Sequence, residues 1–412
     1  MDIATGTARP DASARSDQRN ALIAGFLGWT LDAFDFFVLT FVVSQVARDF
    51  GVSVVAVALT IAASLWTRPI GAIIFGLMAD RWGRRLPLMI NILYYSAIAF
   101  LCAFAPNYTV FFALRLLYGI GMGGEWGVGA SLVMESVPVR WRGLVSGFLQ
   151  MGYTCGYFLA ALVYALVFPH WGWRGMFIVG GLPALLTLFV RARVKETAAW
   201  HESRTDWATY RKAMAGSLRL FGYLVVLMTA MAFVSHGTQD MYPTFLQRQR
   251  QFGPQLTAGI TMISMTGAIF GGMLFGYYSD RRGRRRAMIT ALLLACAVVP
   301  LWVFAPTTAL VAVGAFLMQF MVQGAWGIIP AHINELAPNQ LRGFFPGLAY
   351  QMGIVFASSI TYIEAVLGEH FSYALSMGML AALVTIAAAV VVSLGPEAKG
   401  VAFGATRTSP EG

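Results

Sequence analysis

The sequence predicts an all-α integral membrane protein in which twelve transmembrane helices form two pseudo-symmetric halves of six helices. Of its 412 residues, 58% are hydrophobic and only 12% are charged, whereas charged residues make up about a quarter of a typical soluble domain. Apolar runs of about 20 residues, long enough to cross the hydrocarbon core of a bilayer, recur along the chain. A charged motif also occurs twice, at an offset of 200 residues. We therefore expect a bilayer as the solvent and two related halves as the organisation.

Polar and apolar segments divide the chain into five parts. Residues 1–20 form a polar tail without an apolar signal-peptide core, so we expect the first span to remain uncleaved. The first half covers 21–191, a charged linker 192–218, the second half 219–394, and a second tail 395–412. The predicted spans lie near 21–46, 54–78, 86–104, 109–134, 142–168, 174–191, 219–246, 255–278, 287–304, 308–332, 342–367 and 371–394.

The distribution of positive charge predicts the orientation in the membrane. With both termini on one side, 23 of the 29 Lys and Arg residues fall on that side and four fall on the other. Because Lys and Arg accumulate in cytoplasmic loops, we expect both tails in the cytoplasm and a multi-pass protein of the plasma (inner) membrane. This distribution accounts for the net charge of +10 without a nucleic-acid partner.

The charged motif is the clearest part of the 200-residue repeat. The stretch GLMADRWGRR at 76–85 recurs as GYYSDRRGRRR at 276–286, and each copy is followed by a Glu and then by an Arg-Gly pair. Glycines in such a loop allow helices to approach closely, and the carboxylates can meet a helix N-terminus or an arginine. We therefore predict a conformational gate formed by Gly76, Asp80, Gly83, Arg84, Glu135, Arg142, Asp280, Gly283, Arg284, Glu335 and Arg342.

The two copies of this loop resemble the loop motif of the major facilitator superfamily, and the resemblance extends over essentially the whole chain. It implies a transporter whose two halves rock about a central site, which is the alternating-access mechanism.

Ionisable residues inside the predicted spans are candidate functional residues, because burying a charge in a membrane is costly unless it is paired or hydrated. They are Asp32, Asp35, Arg68, Arg115, Glu125, His236, Asp240 and Glu364. Arg115 and Arg68 suit an anionic substrate, since a guanidinium group binds a carboxylate through two parallel hydrogen bonds. The alternative is that both arginines neutralise buried carboxylates in structural pairs.

His236 and Asp240 are four residues apart and therefore share one face of the seventh span. An imidazole beside a carboxylate can accept and release a proton near neutral pH, which favours proton coupling over a purely structural pair. Asp32, Asp35 and Glu125 are further candidates for proton coupling. Gln150 and Tyr153 in the fifth span either line a central substrate cavity or connect helices through hydrogen bonds.

The segment SHGTQDMYPT at 235–244 resembles the signature of the Jen-type lactate and pyruvate:proton symporters, a branch of the sialate:proton symporter family. Residues 115–138 and 351–353 fit the same branch, whereas Ala232 and Ile354 stand where the branch has Asn. The resemblance implies roles in substrate binding or proton coupling for Arg115, His236, Asp240 and Gln351.

Together these features predict a secondary active transporter that imports a small organic anion with protons and functions as a monomer. A monocarboxylate such as lactate or pyruvate is the expected substrate. Symport of sialate, another sugar acid or an aromatic acid remains an alternative, as does proton-driven export, although 142–168 lacks the proline of the glycine-proline motif common in antiporters. No phosphate-binding GxxxxGK[ST] motif, paired-cysteine motif or catalytic constellation occurs, so we expect no enzyme activity, metal or cofactor.

Overall fold

The chain folds into α-helices over most of the residues that the structure describes. The structure is a computed structural model, and it describes residues 12–203, 207–360, 363–364, 367, 370–401 and 403. Parts of the predicted tails, linker and eleventh span lie outside the described residues: 1–11, 204–206, 361–362, 365–366, 368–369, 402 and 404–412.

The first half contains six helices of different lengths joined by short connections. They are α1 (Ala12–Phe50), α2 (Val54–Trp82), α3 (Arg85–Cys102), α4 (Tyr108–Ser136), α5 (Arg142–Val179) and α6 (Leu186–Arg193). Single-turn 3₁₀ helices at Val139–Trp141 and Leu182–Leu185 lead into α5 and α6. Gly172 has φ 60° and ψ −162°, which breaks the course of α5 between the fifth and sixth predicted spans.

The linker and the second half repeat this pattern with small changes. Two short helices, α7 (Ala198–Ser203) and α8 (Trp207–Gly216), lie in the linker. The second half contains α9 (Leu218–Gln239), α10 (Tyr242–Arg248), α11 (Pro254–Arg282), α12 (Arg284–Phe304), α13 (Thr308–Trp326), α14 (Ile329–Leu336), α15 (Phe345–Ala357) and α16 (Tyr373–Leu394), with a 3₁₀ turn at Asn339–Leu341.

Helices at equivalent positions in the two halves begin with the same kind of N-terminal cap. The side chain of Asn107 accepts a hydrogen bond from the backbone N–H of Val110, and Thr307 accepts one from Leu310. Such side-chain acceptors satisfy N–H groups that have no partner inside the helix. The matched caps therefore begin α4 and α13 at equivalent places in the two halves.

The helices present apolar side chains to their surroundings, as expected in lipid. Among the described residues, nine helical stretches are long and apolar enough to cross a membrane. Large apolar side chains stand exposed on their outer surfaces, including Val55, Leu166, Leu383 and Leu394. In water such a surface would be unfavourable, so lipid is the solvent that the fold requires.

The two halves meet through α2 with α15 and through α5 with α11. Glycines allow this approach: a Cβ atom at Gly147 would lie 2.7 Å from the carbonyl carbon of Gly272, and one at Gly127 would lie 2.6 Å from Cα of Gly347. Small residues at these positions bring the helix backbones into contact, as is common in membrane bundles.

One end of the molecule contains the linker and both terminal segments, and we call it the termini face. Lys195 in the linker lies 2.9 Å from Asp17 near the N-terminus, and Asn20 donates to the backbone oxygen of Arg193 at 3.0 Å. At the other terminus, Lys399 donates to the backbone oxygen of Arg281 at 2.7 Å. The linker and both terminal segments are therefore packed against this end of the helices.

The loop glycines make a prediction about stability. Gly83 has φ 95°, and a Cβ there would meet the carboxylate of Glu196, which accepts hydrogen bonds from the N–H groups of Arg84 and Arg85. We expect Gly83→Ala to destabilise the fold by about 1–3 kcal/mol, the usual cost of such a backbone conformation for a residue with a side chain.

The thermal unfolding midpoint in detergent measures this effect. Gly216→Ala is the matched control, because a Cβ at Gly216 meets nothing within 4 Å. Equal midpoints for the two variants would contradict the proposed strain at Gly83.

Candidate functional site

A buried charge network lies at the termini face, and each half contributes one copy of the same cluster. In the first half, Arg84 lies 3.1 Å from Asp80 and 2.8 Å from Glu135. In the second half, Arg284 lies 2.7 Å from Asp280 and 2.9 Å from Glu335. These side chains are at most 5% exposed, so the carboxylates are removed from water. Each guanidinium group supplies the hydrogen bonds and the positive charge that compensate for this desolvation.

Each aspartate of the network also caps a helix of the opposite half. Asp80 accepts hydrogen bonds from the backbone N–H groups of Gly343 at 2.7 Å and Phe344 at 3.2 Å, where α15 begins. Asp280 accepts equivalent bonds from Gly143 at 2.8 Å and Leu144 at 3.0 Å, at the start of α5. A carboxylate at a helix N-terminus is stabilised by unpaired N–H groups and by the helix dipole.

Two further arginines complete the network across the interface. Arg142 of the first half lies 3.6 Å from Glu335 of the second, and Arg342 of the second half lies 3.5 Å from Glu135 of the first. The resulting cluster holds four carboxylates and four guanidinium groups, so its formal charges balance. The structure thus brings together all the residues of the predicted gate, including Gly76, where a Cβ would lie 2.9 Å from Cα of Phe344.

An aromatic layer lies next to this network, deeper in the molecule. The rings of Trp126 and Tyr350 stack across the interface with centroids 4.3 Å apart. Trp326 and Trp29 both contact Tyr350 edge to face. The layer joins helices of both halves.

Two predicted substrate residues belong to this layer. Gln351 is fully buried and donates to the backbone oxygen of Gly123 in the other half at 3.3 Å. Gln150 accepts a hydrogen bond from the indole of Trp126 at 3.4 Å. In this conformation both side chains connect helices and help to close the interface.

Residues of both halves lie within electrostatic reach of one another around Arg68. We call the region bounded by Arg68, Tyr153, His236, Asp240 and Tyr350 the central recess. The side chain of Arg68 is 4% exposed, and its charge acts on Asp32 of its own half and on His236 of the other. It donates to the sulfur of Met122 at 2.7 Å, while its Nε has no hydrogen-bond partner within the described part of the chain. Arg68 therefore keeps one unpaired donor, and its charge reaches groups of both halves.

His236 and Asp240 form the predicted pair on α9. The imidazole Nδ1 lies 3.2 Å from one carboxylate oxygen of Asp240 and 3.4 Å from the other. The two side chains keep 31% and 34% of their surface exposed, so they are accessible to water in the recess. Since the interface is closed at the termini face, this access is from the opposite face.

A network of amides holds the end of α9 against α13. Gln239 donates to Gln319 at 2.7 Å, and Gln319 donates to the hydroxyl of Thr238 at 3.2 Å. Gln323 donates to Ser235 at 3.3 Å. These bonds fix the helix turn that carries His236 and Asp240.

A second charged group is enclosed within the first half. Asp32, Asp35 and Glu125 are at most 2% exposed, and their carboxylate oxygens have no hydrogen-bond partner among the described residues. Glu125 packs against Gly28, where a side chain would collide with it. These carboxylates are the predicted proton-coupling residues of the first half.

Arg115 belongs to the same enclosed group. It is fully buried, its guanidinium carbon lies 4.1 Å from the ring centre of Tyr118, and its charge acts on Asp32 and Asp35. Tyr118 in turn donates to the backbone oxygen of Asp32 at 3.1 Å. The structure places Arg115 inside the first half and Arg68 at the recess.

The structure also draws attention to residues that the sequence did not single out as site residues. Glu364 was recognised only as an intramembrane carboxylate; it is 1% exposed, and neither of its oxygens has a partner among the described residues. It lies beside Gly237 and acts electrostatically on Asp240. Tyr350 and Trp29 carried no signal, because aromatic residues are frequent throughout the apolar runs.

Comparison with known families decides the class of the protein. The family model described as Major Facilitator Superfamily matches residues 25–361. The chain belongs to the major facilitator superfamily. It is therefore a membrane transporter and not an enzyme, and the predicted fold class is confirmed.

Curated relatives of this family member cover most of the chain. It is 29% identical to a carboxylic acid transporter protein homolog of Saccharomyces cerevisiae, over 85% of this chain and 62% of that protein. It is 29% identical to a probable 4-methylmuconolactone transporter of Cupriavidus pinatubonensis (94% and 92% covered) and 26% identical to the sialic acid transporter NanX of Escherichia coli (93% and 95%). These similarities confirm the predicted resemblance to sialate-type and carboxylate transporters of the superfamily.

A solved structure supports the fold independently. The proton:xylose symporter XylE, bound to 6-bromo-6-deoxy-D-glucose, superimposes with a TM-score of 0.79 over 95% of this chain and 98% of that one. The two sequences are 18% identical, so this comparison bears on the fold alone.

The charge network makes a second prediction. In Arg284→Ala, the buried Glu335 and Asp280 lose their closest cation, and breaking a buried pair in this way costs about 3–5 kcal/mol. We expect a clear fall in the thermal unfolding midpoint in detergent.

Arg282→Ala removes an exposed arginine two residues away and is the matched control. A loss of stability no greater than that of this control would mean that the network contributes little to the fold.

Proposed function

We propose that this transporter is a monomeric proton-coupled symporter that carries a small organic carboxylate into the cell. The observation that carries the proposal is the position of Arg68. It is a buried cation with an unpaired donor, and its charge acts on Asp32 of one half and on His236 of the other. A bound carboxylate at this point would engage both halves at once.

The chemistry of Arg68 favours an anion with a planar head group. A guanidinium group stays charged under physiological conditions and forms paired hydrogen bonds with carboxylates. The carboxylic acid and sialic acid transporters among the relatives support an acid as the substrate class. A neutral sugar would form no ionic contact with Arg68, whereas a carboxylate would.

Protons have two groups of acceptors near this site. The pair His236 and Asp240 is open to the recess, and Asp32 lies within electrostatic reach of Arg68. When the carboxylate binds, a proton taken up by either group offsets the added negative charge, and the loaded carrier reorients without an extra buried charge. Arg115 is assigned a positioning role, because it lies among Asp32 and Asp35 and away from the recess.

The termini face is proposed to be cytoplasmic and the membrane to be the plasma (inner) membrane. The excess of Lys and Arg on this side supports that orientation. In the present conformation the recess is then accessible from outside. Delivery to the cytoplasm requires the charge network and the aromatic layer to separate.

The first experiment is uptake of labelled lactate into proteoliposomes with and without an inward proton gradient. We expect the gradient to drive accumulation in the parent protein. Asp240→Asn should abolish accumulation, because the pair can no longer carry the proton, while exchange of lactate across the membrane persists. Asp17→Asn, a substitution in an exposed ion pair, is the control.

Gradient-driven accumulation that survives in Asp240→Asn would rule out this pair as the coupling site. Gradient-driven efflux in place of uptake would identify an exporter.

The role of Arg68 is tested by Arg68→Gln. Loss of a charge-assisted contact worth about 1.5–3 kcal/mol raises KM by roughly 10- to 100-fold. Arg248→Gln makes the same change at an exposed site and should leave KM unchanged. If Arg115→Gln raised KM while Arg68→Gln did not, the two roles would have to be exchanged.

A second substrate class is favoured by the aromatic residues at the recess. Tyr153 contacts Trp29 in a stacked arrangement with centroids 5.6 Å apart and contacts Phe37 edge to face at 5.1 Å. Together with Tyr350, these rings offer flat apolar surface next to Arg68, which suits an aromatic or unsaturated acid.

Competition of benzoate and N-acetylneuraminate against uptake of labelled lactate distinguishes the substrate classes. Stronger inhibition by benzoate identifies an aromatic acid as the substrate. Stronger inhibition by N-acetylneuraminate identifies a sugar acid.

A further inference from the structure

We infer that Arg142 and Arg342 form a binding site for an aromatic side chain at the termini face, and that its ligand is Phe403 of the same chain. Occupation of this site ties the two halves together and slows the opening of the interface between them. The inference concerns the tail that follows the last span and is independent of the substrate.

The ring of Phe403 lies between two guanidinium groups from opposite halves. The guanidinium carbon of Arg142 is 3.4 Å from the ring centre, and that of Arg342 is 3.7 Å from it. A cation over the face of an aromatic ring is attracted by the negative potential of that face. Because the two arginines belong to opposite halves, one ring joins the two halves.

The two arginines occupy equivalent positions, 200 residues apart, and are held in equivalent ways. The Nε of Arg142 donates to the backbone oxygen of Met134 at 3.1 Å, and that of Arg342 donates to the backbone oxygen of Asn334 at 3.2 Å. Each also lies near the buried glutamate of the other half. The ring therefore contacts equivalent arginines of the two halves, and both arginines belong to the network.

One difference between the halves shows what the tail contributes. In the second half, Nη2 of Arg342 donates to the side chain of Asn339. The equivalent residue in the first half is Val139, which has no side-chain acceptor. There, Nη1 of Arg142 donates to the backbone oxygen of Val401 at 2.6 Å, so the tail supplies the acceptor that the first half lacks.

Apolar contacts add to this arrangement. Phe403 packs with a cluster of buried residues from both halves, which includes Met134, Leu149 and Ala331. When the halves separate at this face, the ring must lose one arginine and part of this apolar surface. The closed interface is therefore favoured by contacts that the open interface cannot keep.

Thiol labelling of a residue at the interface tests the inference. Ser146 is fully buried and its hydroxyl accepts a hydrogen bond from the backbone N–H of Ala331 in the other half at 3.0 Å. Ser146→Cys, in a full-length chain whose three native cysteines are replaced by alanine, reacts with a soluble maleimide only while the interface is open.

We expect Phe403→Ala to increase the labelling rate roughly tenfold, since two cation–π contacts are lost. Phe403→Leu, which keeps apolar volume without a ring face, should behave like Phe403→Ala. Phe403→Tyr and Phe403→Trp should stay near the parent rate. Phe158→Ala, a change at a partly exposed phenylalanine in α5, is the matched control and should leave the rate unchanged.

Two results would overturn the inference. One is a labelling rate in Phe403→Ala equal to that of the parent. The other is a parent-like rate in Phe403→Leu, which would mean that the ring acts only as filling. Neither result depends on transport, so a failed uptake experiment and a failed tail experiment remain distinguishable.

Discussion

Eight buried charges at the termini face constrain the rest of the structure. Removing a single charge from water without a partner costs several kcal/mol, more than a typical stabilising contact returns. Asp80 and Asp280 reach their full set of hydrogen bonds only when each meets the helix start of the opposite half. These hydrogen bonds fix the register of α2 against α15 and of α5 against α11. They also require glycine at the positions where the helix backbones touch. A closed termini face then leaves the recess accessible from the other side.

The charged residues at membrane depth have fewer hydrogen-bond partners than those of this network. At the termini face the carboxylates and arginines are largely satisfied by one another, whereas Asp32, Asp35, Glu125 and Glu364 have oxygens without a partner among the described residues. Natural sequences keep such unfavourable groups mainly where function requires them. This distribution fits the proposed division of tasks, in which satisfied charges hold one conformation and unsatisfied charges bind a ligand or a proton. Arg68, at the boundary between the halves, belongs to the second set.

Much of the fold follows from the sequence, because hydropathy, positive charge and the 200-residue repeat all report the same organisation. The repeat also indicates the pairing of Arg84 with Asp80, since residues four apart on a helix are neighbours. It cannot indicate that Arg142 meets Glu335 rather than Glu135, because an offset of 200 residues is compatible with pairing within a half or across halves. Nor does it separate Arg68 from Arg115: spans that are apolar on every side carry no signal for which face points to the centre. Phe403 follows a short polar segment and has no local pattern at all.

The charge network also sets an order of events during synthesis. The first half leaves the ribosome with Asp80 and Arg142 already present, but their partners Gly343 and Glu335 are made only with the second half, and Phe403 is made later still. Until then Asp80 has Arg84 of its own half as a counter-ion, but the N–H groups of the opposite helix that complete its hydrogen bonds are absent. This face can therefore reach its complete set of ion pairs and helix caps only after the second half has been synthesised.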